Sequence, residues 1–375
     1  MKRYIFKIIT LVMIIMVLAG CGLKETGTEP TETPTPTPEA EPALAICMNT
    51  LEHPIHREVQ LGFLDGCKEL GYDDVSIIGA VEGDQASQFD MALKWAKSVE
   101  GRPAAMLLWN GDHNSDELCE KLDEMRIYVG IPNFKIFVDD DDKGIELRSE
   151  SIFDDVELPK GVDFEVAINE YRAAERAAQY MAKKLDGKKG SVVTAARIYC
   201  SRANYVIDGF EDEFKELKEK GDYDLSQVKI PINLVYEENM ISKVASGCDD
   251  IIGMYVPAPD FAYEWIEHMH ESGKNPDDVV NISADMSEEM VKLFENGDLD
   301  MLIGRSLYRE GYKCAENFDK LFKGEKVPKF EYIDAEYLTE ETAGELLPRY
   351  KELFERTKDE EFFERYEAME FIAEQ

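Results

Sequence analysis

The chain alternates between two hydrophobic periods. Short, continuous apolar runs at residues 43–48, 75–80, 104–109 and 127–131 predict strands buried on both faces, and the stretches between them, 55–70, 85–99 and 115–125, carry apolar residues at helical spacing. The first of those helices stops at Gly71. A second series repeats the pattern, with helices at 170–185, 204–220, 240–247, 261–272 and 287–296 around strands at 191–196, 229–236, 250–256 and 279–283. Strands of unbroken apolar character separated by amphipathic helices predict parallel βαβ units whose sheets are covered on both faces. The fold class is therefore α/β, with two doubly wound, Rossmann-like lobes. Such sheets bind ligands at the carboxyl ends of their strands, and two facing sheets place a site between the lobes.

The first residues follow another logic. Lys2, Arg3 and Lys7 precede an apolar run at 8–18 that ends in Leu18-Ala19-Gly20-Cys21. A basic segment, a short apolar segment and small residues before a cut site describe a signal peptide over residues 1–20. The run is too short and wrongly flanked for a transmembrane anchor. A cysteine directly after the cut resembles the lipobox of bacterial lipoproteins, so Cys21 becomes residue one and carries diacylglycerol. The next segment, 22–42, repeats Thr-Pro between glutamates and contains almost nothing apolar. Proline holds it in the extended polyproline conformation, enough to set the body on the order of 60 Å from a bilayer. A spacer of that kind suits a thick Gram-positive wall, and two or more acyl chains make the anchor stable. The body belongs on the extracytoplasmic face of the cell membrane.

Residues 43–375 suffice for two domains of ordinary size. Removing the three basic residues of the leader takes the net charge of −36 to −39. That field repels nucleic acid and anionic lipid heads, which excludes a nucleic-acid partner and a membrane-surface role. With Cys21 spent on lipid, Cys47, Cys67, Cys119, Cys200, Cys248 and Cys314 remain. Their number permits pairing, but the spacings are wide, no CxxC occurs, and Cys67 and Cys314 fall at apolar helical positions, as buried free thiols do.

Several segments then carry a resemblance. Leu51-Glu52-His53-Pro54 followed by Gly62-Phe63 and Lys68-Glu69-Leu70-Gly71-Tyr72 is similar to the opening strand, loop and helix of ribose-type sugar-binding proteins, the type I periplasmic binding proteins. Ile207-Asp208-Gly209-Phe210 resembles the family's Gly-Phe at the start of the second-lobe helix. Ile282-Ser283-Ala284-Asp285-Met286 resembles the strand ending in its ligand-binding aspartate. Gly297-Asp298-Leu299 to Ile303-Gly304-Arg305 resembles the late strand leading back to the first lobe, and Phe322-Lys323-Gly324-Glu325-Lys326-Val327-Pro328 the turn that follows. The resemblance runs collinearly over residues 43–334. It implies a three-stranded hinge, with crossings near residues 167–169, 305–307 and 334. Lobe one is then 43–168 plus 306–334, and lobe two 169–305 plus 335–375. Residues 339–375 exceed the family's usual ending; they read as an acidic helical extension dotted with Tyr350, Phe354, Phe362, Phe363 and Tyr366, packing on lobe two.

Loops after first-lobe strands offer Glu52, His53 and His56, then Trp109 and Asn110, then Asn133 and Phe134. Second-lobe loops offer Tyr199, Arg202, Asn204, Asp260, Asp285 and Arg305. Vicinal hydroxyls call for planar bidentate donors and acceptors, and a sugar ring's C–H side for an aromatic face, which Asp, Asn, Arg and Trp supply. His53, Ile55 and His56 stand where the family shows asparagine and aromatics, Pro257-Ala258-Pro259-Asp260 replaces a polar pair, and Val206 stands in place of an arginine; ribose itself fits poorly. His53 and His56 also suit a helix cap or a solvated helix start, and Trp109 suits core as well as stacking. A metal held by the two histidines lacks further ligands nearby. Asp139, Asp141, Gly144 and Glu150 match positions of a calcium loop, but Lys143 stands where an oxygen ligand is needed, so the stretch reads as a solvated acidic loop.

No Gly-x-Ser-x-Gly, Walker, Gly-x-Gly-x-x-Gly or His-Glu-x-x-His run occurs, so neither an enzyme nor a cofactor is indicated. A carboxylate pair such as Glu52 and Asp285 means little in so acidic a chain. A sugar-responsive repressor of this fold is excluded by the lipobox and by the lack of a basic helix-turn-helix. The expected function is that of a monomeric, lipid-anchored solute receptor of an ABC importer, with an ABC permease and a carbohydrate-like ligand as partners. A receptor presenting its ligand to a membrane sensor kinase or chemoreceptor is the alternative.

Overall fold

A computed structural model describes residues 40–81, 85–109, 115–133, 158–196, 201–235, 241 and 250–373, of which 196, 201–205 and 230–235 by backbone alone. Cys21, the Thr-Pro segment, Asn110, Phe134, the 139–150 loop, Tyr199, Cys200, Cys248 and nearly all of the expected 240–247 helix lie outside the described residues.

The first sheet starts with β1 (Ala43–Met48), β2 (Val75–Ala80), β3 (Ala104–Leu108), β4 (Ile127–Pro132) and β5 (Phe164–Ile168), linked by α1 (Pro54–Glu69), α2 (Gln85–Ser98) and α3 (Asp116–Glu124). The second is built from β6 (Gly190–Ala196), β7 (Val228–Val235), β8 (Ile251–Val256), β9 (Val280–Ala284) and β10 (Met301–Gly304), with α4 (Glu170–Lys184), α5 (Ser201–Lys220), α6 (Pro259–Glu271) and α7 (Glu288–Asn296). The chain continues through α8 (Leu307–Phe322), β11 (Phe330–Ile333), β12 (Glu336–Leu338), α9 (Ala343–Thr357), α10 (Glu360–Glu364) and β13 (Glu367–Ala373). Among the described residues, sheet one has seven strands in the order β11-β5-β4-β3-β1-β2-β13, all parallel; sheet two has six, β12-β10-β9-β8-β6-β7, with only β12 antiparallel. Both are doubly wound, as the alternation of periods requires. The chain passes between them after β5, after β10 and between β11 and β12.

Local chemistry sets the helix ends. Pro54 opens α1 behind His53, whose ring accepts the Ile55 N–H at 3.3 Å. Ser287 caps α7 by accepting the Met290 N–H at 3.2 Å, and Gly297 stops that helix in the left-handed region at φ +85°. In the core, α1 packs so closely on α8 that a Cβ on Gly62 would overlap the Tyr308 carbonyl, and one on Gly311 the Val59 carbonyl. Cys47, Cys67, Cys119 and Cys314 are buried free thiols.

The tail departs from the expected all-helical extension on lobe two. Leu346, Tyr350 and Phe354 of α9 do bury against Trp265, Met286 and Met290 of the second lobe. The chain then crosses back, and Glu367–Ala373 joins sheet one as a parallel neighbour of β2. Only Ile372 of that strand is buried, so its sequence carries almost no period-2 signal.

Candidate functional site

Residues that follow the strands' carboxyl ends converge. In lobe one, buried Gln88 donates its amide to the carbonyls of Cys47 (3.2 Å) and Trp109 (2.9 Å), tying the end of β1 to the residue that follows β3. His56 is buried, its ring centroid 4.5 Å from that of Trp109 and 5.2 Å from that of His53. Its Nδ1 bonds the Thr50 carbonyl, which can only accept, so Nδ1 carries the proton and Nε2 remains an acceptor. Burial lowers the His56 pKa to about 4, against the Thr50 bond, and His53 lowers it further; the ring is neutral at pH 7. Trp109 is only 8% exposed and packs with the core. Asn133 follows β4 in the left-handed region at φ +50°.

In lobe two, β9 and β10 are adjacent, so Asp285 and Arg305 leave neighbouring strand ends. Asp285 adopts φ +72°, and its carboxylate lies 2.6 Å from Arg305 Nε. Each side chain is less than one-fifth exposed, which keeps the pair partly desolvated. Glu170 stands 4.0 Å from the same nitrogen. Asp260 lies exposed in the first turn of α6. Asn204 lies in the first turn of α5.

A cavity of about 480 Å³ opens between the lobes, lined by Glu52 and His53 from the first, Asp285 and Ser287 from the second, and Arg305 at the crossing. The structure therefore brings His53, Asp285 and Arg305 to one space. His56 and Trp109 sit behind His53 and do not line it. Tyr350 and Phe354 of α9 form a further wall that the sequence did not announce. Glu58 was also missed: burial, with the Asp285 and Glu336 carboxylates nearby, pushes its pKa up to about 8. Glu58 reveals itself only once residues more than two hundred positions away are folded around it. Glu58 also lines a second cavity of about 300 Å³ with Glu336, which accepts from Tyr350 Oη at 2.6 Å and pairs with Arg349. Among the described residues no cluster of His, Cys, Asp or Glu is arranged to hold a metal ion, and no helix is long and apolar enough to cross a membrane.

Residues 141–326 match the family described as a periplasmic binding protein domain. No curated protein matches the chain. Among solved structures, a sugar ABC transporter sugar-binding protein from Bacillus halodurans superposes with TM-score 0.63 at 14% identity, covering 80% of this chain and 98% of its own. The arabinose-binding protein AraP from Geobacillus stearothermophilus gives 0.64 at 15%, covering 81% and 98%. An ABC transporter solute-binding protein from Agrobacterium vitis with bound D-fucose gives 0.59 at 19%, covering 82% and 98%. At these identities the likeness is one of fold.

Proposed function

We propose, from the premise that this chain carries a periplasmic binding protein domain in the type I fold, that it is a lipid-anchored extracytoplasmic receptor capturing a sugar or sugar-like polar solute between its lobes for an ABC importer. The observation that carries the reading is the cavity at the lobe junction where His53, Asp285 and Arg305 meet. Asp285 and Arg305, paired at 2.6 Å, offer a bidentate acceptor and a forked donor side by side, the combination that adjacent hydroxyls satisfy. Bound D-fucose in one structural relative and the arabinose-binding character of another agree with that chemistry.

A thermal-shift screen of sugars, polyols, nucleosides and amino acids tests the reading, followed by calorimetry on the best ligand. A sugar is expected to raise the melting temperature. Asp285→Asn and Arg305→Ala each leave ligand hydroxyls unpaired and are expected to weaken binding tenfold to a hundredfold, about 1–3 kcal/mol. Stabilisation by amino acids or nucleosides alone, or wild-type affinity in both folded variants, refutes it. Anchoring is tested separately: Cys21→Ser is expected to release the protein from membranes, and mass spectrometry showing an unmodified Cys21 in the wild type overturns that part.

A further inference from the structure

The tail alternates between the lobes as it runs. Phe354 is fixed in the second lobe, 6% exposed among Trp265, Met286 and Met290. Two residues later, Arg356 Nη2 donates to both carboxylate oxygens of Asp65 on α1, at 2.9 and 2.8 Å, and Tyr308 Oη donates to the same carboxylate at 2.7 Å. Lys358 returns to the second lobe, 2.6 Å from Glu288 on α7. Glu360 then pairs with Arg57 of α1 at 3.0 Å, and Phe363, fully buried, lies under the Arg57 guanidinium at 4.2 Å. Glu367 binds Arg57 as well, at 3.3 Å, before β13 aligns with β2.

We infer that residues 343–373 form an interlobe strap, a fourth covalent passage that limits how far the cleft opens. The limit follows from chain geometry. Phe354 and Arg356 are two residues apart, so their backbones cannot separate by more than about 7 Å, and each grips a different lobe. The two grips differ in kind. The buried second-lobe contacts, through Leu346, Tyr350 and Phe354, are apolar, whereas the first-lobe contacts nearest the junction are ionic and partly exposed. The Lys358–Glu288 pair is exposed on both sides and screened by solvent, so it adds little to the hold on the second lobe. Opening at this edge must therefore break the Arg356–Asp65 fork before it pulls Phe354 from its seat.

The test needs no ligand, so it stands or falls apart from the solute reading. Spin labels carried by a non-cysteine amino acid at Lys97 on α2 and Glu271 on α6, both exposed, report the interlobe distance by double electron–electron resonance. Arg356→Ala, and separately a chain ending at Lys358, are expected to lengthen or broaden that distribution in the unliganded protein. Arg356→Lys keeps the charge but not the guanidinium's reach and is expected to fall between. If the truncated chain does not fold, Arg356→Ala decides. A distribution identical to wild type in folded Arg356→Ala overturns the inference.

Discussion

Each lobe solves one packing problem with the same dipeptide. Gly62-Phe63 in α1 and Gly209-Phe210 in α5 both place a glycine against a neighbouring helix backbone and a fully buried phenylalanine beside it. The partners differ. In lobe two the neighbour is α4, close in sequence, and Phe210 stacks on Tyr255 with ring centroids 4.6 Å apart. In lobe one it is α8, some 240 residues downstream, which answers with a glycine of its own, and Phe63 meets Phe318 edge-on at 6.1 Å. The same local code thus serves a short-range and a long-range contact, and the long-range one is packed more tightly.

The sharpest way to break this comparison is to add a methyl group to each glycine. Gly62→Ala drives a Cβ into the Tyr308 carbonyl, whereas at Gly209 it stands 2.5 Å from the Tyr171 oxygen. We expect losses of about 3 kcal/mol and about 1–2 kcal/mol respectively, read as shifts in denaturant midpoint, with the helix-propensity gain offsetting about 1 kcal/mol in each. Equal losses would erase the distinction between the lobes.

A smaller difference lies in buried charge. Glu165 on β5 is 8% exposed, and burial pushes its pKa up to about 8. The folded state therefore holds this proton more tightly than the unfolded chain. Its contribution is fully present below about pH 4.5 and is lost as pH rises through about 8. Glu165→Gln is expected to remove that loss, gaining on the order of 2 kcal/mol over wild type above pH 8 and little at pH 5. Melting temperatures across that range check it; parallel wild-type and variant curves would contradict it.

The least effect is expected from His56. Its lowered pKa, about 4, means it is neutral in the fold while the unfolded chain titrates near 6.5, so its stabilisation is present above pH 6.5 and lost as pH falls through about 4. His56→Gln is expected to flatten the acid limb of the stability curve between those values, by about 1 kcal/mol at pH 5, with no change at pH 8. A wild-type acid limb in the variant counts against a neutral imidazole.

The architecture was legible because βα alternation repeats many times, and each repeat buries unbroken apolar strands that no helix period mimics. What escaped were elements whose burial is partial or mixed. β5 is buried throughout but mixed in chemistry: a glutamate is the second residue of Phe164–Ile168, which breaks the apolar run that marks the other strands. β13 buries one side chain only, and its aromatic neighbours Phe362 and Phe363 belong to a helix turn instead. At the candidate site, the resemblance pointed to Asp285 and Arg305, which the structure sets side by side at neighbouring strand ends. Glu58, Gln88, Tyr350 and Phe354 were not, since what makes each notable is a partner brought in from far along the chain.

The placement of β13 bears on when lobe one becomes whole. Its sheet draws five strands from the first half of the chain, then β11, and last β13, which lies C-terminal to every other described element. While the chain is being made, β2 presents an unsatisfied row of backbone donors and acceptors at the sheet margin, the kind of template on which chains pair wrongly. That margin is sealed only when the final strand arrives. A chain cut within Glu367–Ala373 would leave lobe one nearly complete but prone to self-association at that margin.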